Sequence, residues 1–344
     1  MSSKLSAWLE RQWYSRASPI RILAPLSWIY TWIASLRRAM YSSGLLKSSG
    51  PDCPVLVVGN ISVGGTGKTP LVIWLAGFLA RHGWNPGIIS RGYQGKASHW
   101  PRQVRPDSDP RVVGDEALLI ARRTGCPMAV GPDRVRAALS LQKRARCDII
   151  VSDDGLQHYA LKRDLEIAVI DSTRLFGNGY CLPAGPLRER KSRLKQVDLV
   201  VYNGAPRPGG FAMKLVGDKA INNCRPDLKV PLAEFASKPC HALAGIGNPK
   251  RFFDFLKARG LTFDSRAFPD HHRFVAEDLC FEDDAAILMT EKDAVKCFRF
   301  SAPNHWYVPV QAQLEAKFET RLLQLLEHKS NEPKNARYSG LPHL

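Results

Sequence analysis

Near the start of the chain, Ile22, Leu26, Ile29, Ile33 and Leu36 recur at spacings of four, three, four and three, which predicts one apolar stripe along an α-helix. Trp28 and Trp32 lie beside the stripe, and Arg37-Arg38 follow it. From residue 54 the pattern changes. Short apolar runs at 55–58, 87–90, 128–130, 148–152, 165–170 and 198–202 alternate with helical patterns at 71–79, 116–122 and 134–145. Strands alternating with helices predict a doubly wound, mostly parallel α/β sheet, with ligands at the C-terminal edge of the strands. Further on, a strand at 243–244 turns through Gly245-Ile246-Gly247-Asn248-Pro249 into a helix at 250–259. A run at 286–289 leads to Thr290, placed to cap the next helix, and 314–328 reads as a terminal helix. Gly245 and Gly247 make only a GxG, too little for a dinucleotide fingerprint.

The first strand, 55–58, runs into Gly59-Asn60-Ile61-Ser62-Val63-Gly64-Gly65-Thr66-Gly67-Lys68-Thr69-Pro70 and then a helix. A glycine-rich turn lets backbone N–H groups face phosphate oxygens, and the helix N-terminus adds its positive dipole. Gly64, Gly65, Thr66 and Gly67 therefore form a candidate phosphate cradle, with Lys68 placed to reach the β/γ-phosphates and Thr69 to ligate Mg²⁺. The loop is a variant: Ser62 stands where the usual GxxxxGK[ST] pattern has glycine. A second strand, 148–152, ends in Asp153-Asp154, where such a fold holds its metal. Neighbouring side chains on an extended strand point opposite ways, so either carboxylate, or both if the strand bends, is open as the ligand.

Composition adds one unusual number, a formal net charge of +17 over 344 residues, which points to an anionic partner: nucleic acid, anionic lipid or a phosphorylated substrate. The first fifty residues hold four of the eight tryptophans and the bases Lys4, Arg11, Arg16, Arg21, Arg37, Arg38 and Lys47 against Glu10. Trp and Lys/Arg on an amphipathic helix suit a bilayer interface, and a helix packed on its own domain is the competing reading. The order of charge and apolar run is not that of a signal peptide, and no run is long enough to span a membrane. Nucleic acid is disfavoured, because clustered basic-aromatic modules are missing outside that segment. The eight cysteines contain no CxxC pair, which excludes zinc ribbons and argues for reduced thiols.

The motifs in order are Gly-Gly-Thr-Gly-Lys-Thr-Pro (64–70), Ser90-Arg91-Gly92-Tyr93, Val113-Gly114-Asp115-Glu116 and Gly131-Pro132-Asp133-Arg134. Asp153-Asp154-Gly155-Leu156-Gln157-His158, Leu182-Pro183-Ala184-Gly185-Pro186-Leu187-Arg188-Glu189 and Phe268-Pro269-Asp270-His271-His272 follow. Over roughly 15–325 the set resembles the tetraacyldisaccharide 4′-kinase family of Gram-negative bacteria. The resemblance implies a membrane-associated P-loop kinase that uses ATP and Mg²⁺ to phosphorylate the 4′-hydroxyl of a lipid A disaccharide 1-phosphate. It implies a location at the cytoplasmic face of the inner membrane and no obligate protein partner. It also pairs Asp115, a candidate base, with a histidine that maps to His271, Asp270 behind it; His272 stays open as the alternative. Within the same motifs Glu116 is a further candidate for the metal. Tyr93, Arg134, His158, Arg188 and Glu189 are candidates for the substrate. Arg188 and Glu189 could equally form a surface ion pair on a solvated helix face at 188–195, and Asp115 could simply cap its helix.

The expected organisation is an interfacial segment at 1–50, a kinase core at 51–202, a smaller α/β lobe at 203–328 and a disordered tail at 329–344. The competing function is a membrane-associated P-loop ATPase that switches partners without a small acceptor, in which Pro269 to His272 and Pro183 to Glu189 would have no purpose.

Overall fold

The structure, a computed structural model, describes residues 8–9, 12–15 and 19–331. Lys4, Glu10, Arg11, Arg16 and the tail from 332 onward lie outside the described residues.

The first sheet takes β1 (Val55–Gly59), β2 (Pro86–Ser90), β3 (Arg102–Val104), β4 (Met128–Val130), β5 (Ile149–Asp153), β6 (Leu165–Asp171), β7 (Leu199–Asn203) and β8 (Phe211–Val216). Their spatial order is β8-β7-β6-β1-β5-β2-β4-β3, parallel except for β3 on β4. Alternate residues of β1 serve opposite faces, as a two-residue period requires. Leu56 and Val58 pack with α2 (Lys68–Arg81) and α3 (Asp115–Thr124), whereas Val55 and Val57 pack with α4 (Arg134–Arg144). These helices follow α1 (Ala24–Ser42) in the chain. Register then places the chemistry: Val58 pairs with Asp153, so the phosphate loop after β1 leaves the sheet beside the acidic end of β5.

The second sheet holds β9 (Lys219–Asn222), β10 (Lys229–Pro231), β11 (Cys240–Ala244), β12 (Asp264–Ala267), β13 (Ala286–Thr290) and β14 (His305–Val308), in the order β10-β9-β14-β13-β11-β12. It carries α5 (Pro249–Lys257) and α6 (Glu291–Cys297). Thr290 caps α6, its Oγ1 accepting from Asp293 N at 3.2 Å. The chain then returns to the first sheet. β15 (Gln311–Leu314) pairs antiparallel with β8, and α7 (Ala316–Asn331) buries Phe318, Leu322 and Leu326 in the first core. The division expected at 202/203 therefore falls inside the nine-stranded sheet, and α7 extends past 329. β8 and β15 are of mixed polarity, and β15 is only four residues long at the sheet edge, so neither left a clear periodic signal.

α1 is seated the opposite way from a core helix. Its buried residues are Ser27 and Thr31, while Ile22 is 83% and Trp32 66% exposed, with Leu26, Trp28, Ile29, Ile33 and Leu36 also exposed. Ser27 Oγ donates to Cys181 O at 2.8 Å and accepts from Ala184 N at 2.9 Å, and Tyr30 Oη donates to Arg188 O at 3.2 Å. Hydrogen bonds, not the apolar stripe, hold this helix to the protein. Among the described residues no helix is long and apolar enough to cross a membrane.

The solvated face expected at 188–195 is instead partly internal. Arg193 is buried and donates to both oxygens of Glu166, at 2.6 and 2.7 Å, and lies 3.5 Å from Glu189. Arg163 adds a 2.9 Å bond to Glu166. Removing one member of such a cluster strands buried charge. We expect Arg193→Met to cost about 3–5 kcal/mol of stability in urea unfolding. A loss below about 1 kcal/mol would mark the cluster as effectively solvated.

Candidate active site

The phosphate loop is clamped from both sides. Gly67, at φ 94°, introduces α2, and a Cβ there would meet Asn203 Nδ2 at 2.1 Å; that amide donates to Thr66 O at 2.9 Å. Only glycine takes this backbone turn in that space. On the other side Val63 N donates to Pro186 O at 2.8 Å and Arg188 N to Ile61 O at 2.7 Å. Ser62 is buried and bridges antiparallel to Leu187. That pairing is compatible with a side chain, so the departure from glycine leaves the loop intact. Lys68, at the first turn of α2 beside Thr69, places Nζ 3.4 Å from Asn60 Oδ1 and 3.4 Å from Asp154 Oδ1.

The two aspartates part company. The chain leaves β5 at Asp154 with φ 51°. Arg188 Nη1 donates to both Asp154 oxygens at 3.1 Å. Burial pushes the Asp154 carboxyl up, but Lys68 and Arg188 outweigh it and hold the group well below the usual carboxylate range. Among the described residues Asp153 makes no direct ion pair, and Lys68 and Arg134 offset its burial only in part. Its Oδ2 accepts from Ser90 Oγ at 3.3 Å, and its Oδ1 is buried without a partner. Burial and the nearby Glu116 raise it to about 7. A buried carboxylate with a bare oxygen beside a phosphate loop fits Mg²⁺, which takes one or two carboxylates and completes its shell with phosphate oxygens and water. Among the described residues no cluster of three or more His, Cys, Asp or Glu forms an all-protein cage.

Three of the expected substrate residues turn inward. Arg134 is buried, donates to Gly131 O, Pro132 O and Asp154 O at 3.2–3.3 Å, and is pushed down by burial to about 10. His158 accepts from Arg134 N at 3.4 Å and falls to about 4 through burial and that guanidinium. Glu189 is buried among Gln157, Tyr159 and Arg193 and does not pair with Arg188. These side chains brace the loops after β5. Tyr93 is exposed, with its ring 5.0 Å from that of His271.

The second lobe supplies the remaining groups. A Cβ on Gly247 would meet Gly65 N at 2.9 Å and Asp270 Oδ2 at 3.2 Å, so the β11–α5 turn lies directly on the phosphate loop. His271 Nδ1 lies 3.1 Å from Asp115 Oδ2 at the start of α3. Asp270 Oδ1 accepts from His271 N at 3.0 Å. His272 points away, to Asp278 at 2.8 Å, and stacks on Phe268. Asp115 also accepts from Glu116 N at 2.8 Å, but it is the first residue of its helix, whose N-cap is Gly114 with no side-chain cap bond, so the capping role left open by the sequence is not the one it takes. Burial opposes the charge on both, yet their mutual hydrogen bond prevails: Asp115, aided by Lys292, is held well below the carboxylate range and His271 is raised. Lys292 Nζ lies 2.8 Å from Glu116 Oε1 and 3.2 Å from Asp270 Oδ1. Burial disfavours its charge, but Glu116, Asp270 and Asp115 raise its pKa. A cavity of about 1130 Å³ lined by Tyr14, Arg21, Arg174, Gly247, Phe268 and Asp270 leads from the base of α1 to this corner.

The sequence model of the tetraacyldisaccharide-1-P 4′-kinase family, LpxK, matches residues 20–327. The chain belongs to this family. It is 52% identical over 338 residues to the tetraacyldisaccharide 4′-kinase of Nitrosococcus oceani, covering 98% of this chain and 100% of that protein. It is 49% identical over 333 residues to that of Methylobacillus flagellatus, covering 95% and 99%. A solved structure of LpxK from Aquifex aeolicus in complex with ATP matches with a TM-score of 0.74 at 27% identity, covering 89% of this chain and 99% of that one.

The sequence reading missed Asn203, which clamps Thr66, and Arg251, whose guanidinium reaches Asn203 and lies 3.6 Å from Asp171 Oδ2. The position of Asn203 at a strand's C-terminal end was the available signal. Lys292 offered none, because only the docking of the two lobes gives it partners.

The Asp115–His271 pair makes stability depend on pH. The raised His271 contributes fully below its unfolded pKa and loses that contribution as pH rises through its folded value. The depressed Asp115 contributes above its unfolded pKa and fails only in strong acid. The stability gap between wild type and His271→Gln should therefore be widest between about pH 4 and pH 6.5, shrinking toward pH 9. Urea titrations at several pH values check this; a gap that widens toward pH 9 would refute the ion pair.

Proposed function

We propose that this chain transfers the γ-phosphoryl group of ATP to the 4′-hydroxyl of a lipid A disaccharide 1-phosphate precursor, in lipid A biosynthesis. The observation that carries the reading is the juxtaposition of a phosphate cradle with the cross-lobe Asp115–His271 pair, 3.1 Å apart. A nucleotide switch needs the cradle but not that pair.

In this reading Gly64, Gly65, Thr66 and Gly67 present backbone N–H groups to the phosphates, and Lys68 swings from Asp154 to their oxygens. Thr69 and Asp153 would hold Mg²⁺, with Glu116 near; when bound, it neutralises charge on the β- and γ-phosphate oxygens. Arg188 keeps Asp154 fixed and cationically paired when Lys68 turns away. Asp115 faces the acceptor hydroxyl and receives its proton, while His271 orients the carboxylate through Oδ2. Phosphoryl transfer is loose and asks for positioning more than base strength, so a carboxylate held below its usual range is adequate. Asp270 fixes the His271 loop, and Tyr93 lies at its rim.

The exposed stripe of α1, flanked by Arg21, Arg37 and Arg38, supports docking on the anionic cytoplasmic face of the inner membrane. The cavity beside its base would then open toward a lipid acceptor.

ADP release measured with and without a lipid A disaccharide 1-phosphate tests the assignment: turnover should require the acceptor. Lys68→Ala should lower turnover about 10²–10³-fold with the fold intact. Asp153→Asn should raise the Mg²⁺ concentration needed for half-maximal rate, because a neutral amide is a poorer ligand. Acceptor-independent ADP release, or near-normal turnover by folded Lys68→Ala, would sink the kinase mechanism.

Membrane docking has its own test. Each buried Trp or Ile contributes about 1.5–3 kcal/mol. The Ile29→Ser/Trp32→Ser/Ile33→Ser variant should release the protein from vesicles containing anionic lipid while its thermal stability stays unchanged, since these side chains touch solvent. Undiminished vesicle binding would remove the interfacial role.

A further inference from the structure

Lys292, on α6, bonds through its ammonium to both halves of the acceptor corner. Its side chain is only 15% exposed, and its ammonium reaches Glu116 of the first lobe at 2.8 Å and Asp270 of the second at 3.2 Å. Glu116 follows Asp115 in the chain, and Asp270 precedes His271. Lys292 thus holds the immediate neighbour of each member of the proton-handling pair. A compact ammonium with three donors can satisfy two converging carboxylates at once. Without it, Asp115, Glu116 and Asp270 would face one another with His271 and the more distant Lys296 to offset them, and like charges at this range repel. The loop is anchored on one side by His272, bonded to Asp278 and stacked on Phe268, whereas His271 sits at φ 58° and Asp270 is exposed.

We propose that Lys292 is a positioning residue for phosphoryl transfer, gripping Glu116 and Asp270 together so that closure of the two lobes sets the Asp115–His271 contact. The proposal rests on the reading of Asp115 and His271 as the proton-handling pair. It is separable from folding because a second bridge joins the same helices. Arg123 of α3 pairs with Glu291 of α6 at 2.6 Å and stays in place when Lys292 is changed.

The test compares Lys292→Met, Lys292→Arg and Lys292→Met/His271→Ala with wild type and His271→Ala. Turnover, KM for ATP and equilibrium nucleotide affinity are measured for each. A displaced reacting group typically costs about 10²-fold, so Lys292→Met should lose about that in kcat with ATP affinity nearly unchanged. Lys292→Arg, which keeps a bridging cation, should recover at least about tenfold of it. In the His271→Ala background Lys292→Met should cost little more, because both act through one contact. Wild-type kcat for Lys292→Met with a collapsed His271→Ala overturns this inference alone. Fully multiplicative losses, or no rescue by arginine, also overturn it. A wild-type rate for His271→Ala overturns the pair reading and this proposal with it. Should Lys292→Met fail to fold, Lys292→Gln replaces it, keeping chain length without charge, and the same outcomes decide.

Discussion

Crowded negative charge is the constraint on which this protein is built. Asp153, Asp154, Asp115 and Glu116 of the first lobe and Asp270 of the second converge beside the glycine-rich loop. The chain answers nearly all of this charge itself. Asp154 is paired with Lys68 and Arg188, Asp115 with His271, and Glu116 and Asp270 with Lys292. Of these five carboxylates Asp153 keeps a buried oxygen without a hydrogen-bond partner and is raised to about 7. That imbalance is what distinguishes the two adjacent aspartates.

One loop joins the outer helix to the phosphate cradle. Residues 181–188 receive Ser27 and Tyr30 of α1 on one side and pair with Ile61, Ser62 and Val63 on the other. Arg188, at its end, reaches Asp154. This segment is therefore the mechanical link between the surface helix and the glycine-rich loop. This arrangement explains the inverted amphipathicity of α1. Its hydroxyl-bearing residues Ser27, Tyr30 and Thr31 face the protein, which leaves the Trp, Ile and Leu stripe outside.

Net charge alone describes the surface poorly. Arg134 and Arg193 are buried, and Arg163 and Lys292 are engaged in internal pairs. Some of the +17 therefore offsets carboxylates that folding has withdrawn from water. An exposed ion pair contributes little, whereas a buried cluster tolerates no missing member.

Local pattern was enough to find β1, β2, β4, β5, β6 and β7, the phosphate loop, α2 to α4 and the stripe of α1, because each rests on near-neighbour periodicity or turn chemistry. It also marked Asp115 and the Asp270-His271-His272 run as chemically loaded through their resemblance to a family. It could not choose between His271 and His272, or between Asp153 and Asp154. Which way each of these side chains faces is set after a turn, by the left-handed φ at His271 and at Asp154. Nor could it show that Arg134, His158 and Glu189 turn inward, that the stripe of α1 faces out, or that β15 and α7 return to the first sheet. Each of these is set by contacts between residues far apart in the chain. Sequence periodicity reports what lies three or four residues away; the partners of Lys292, 176 and 22 residues distant, exist only once the two lobes have met.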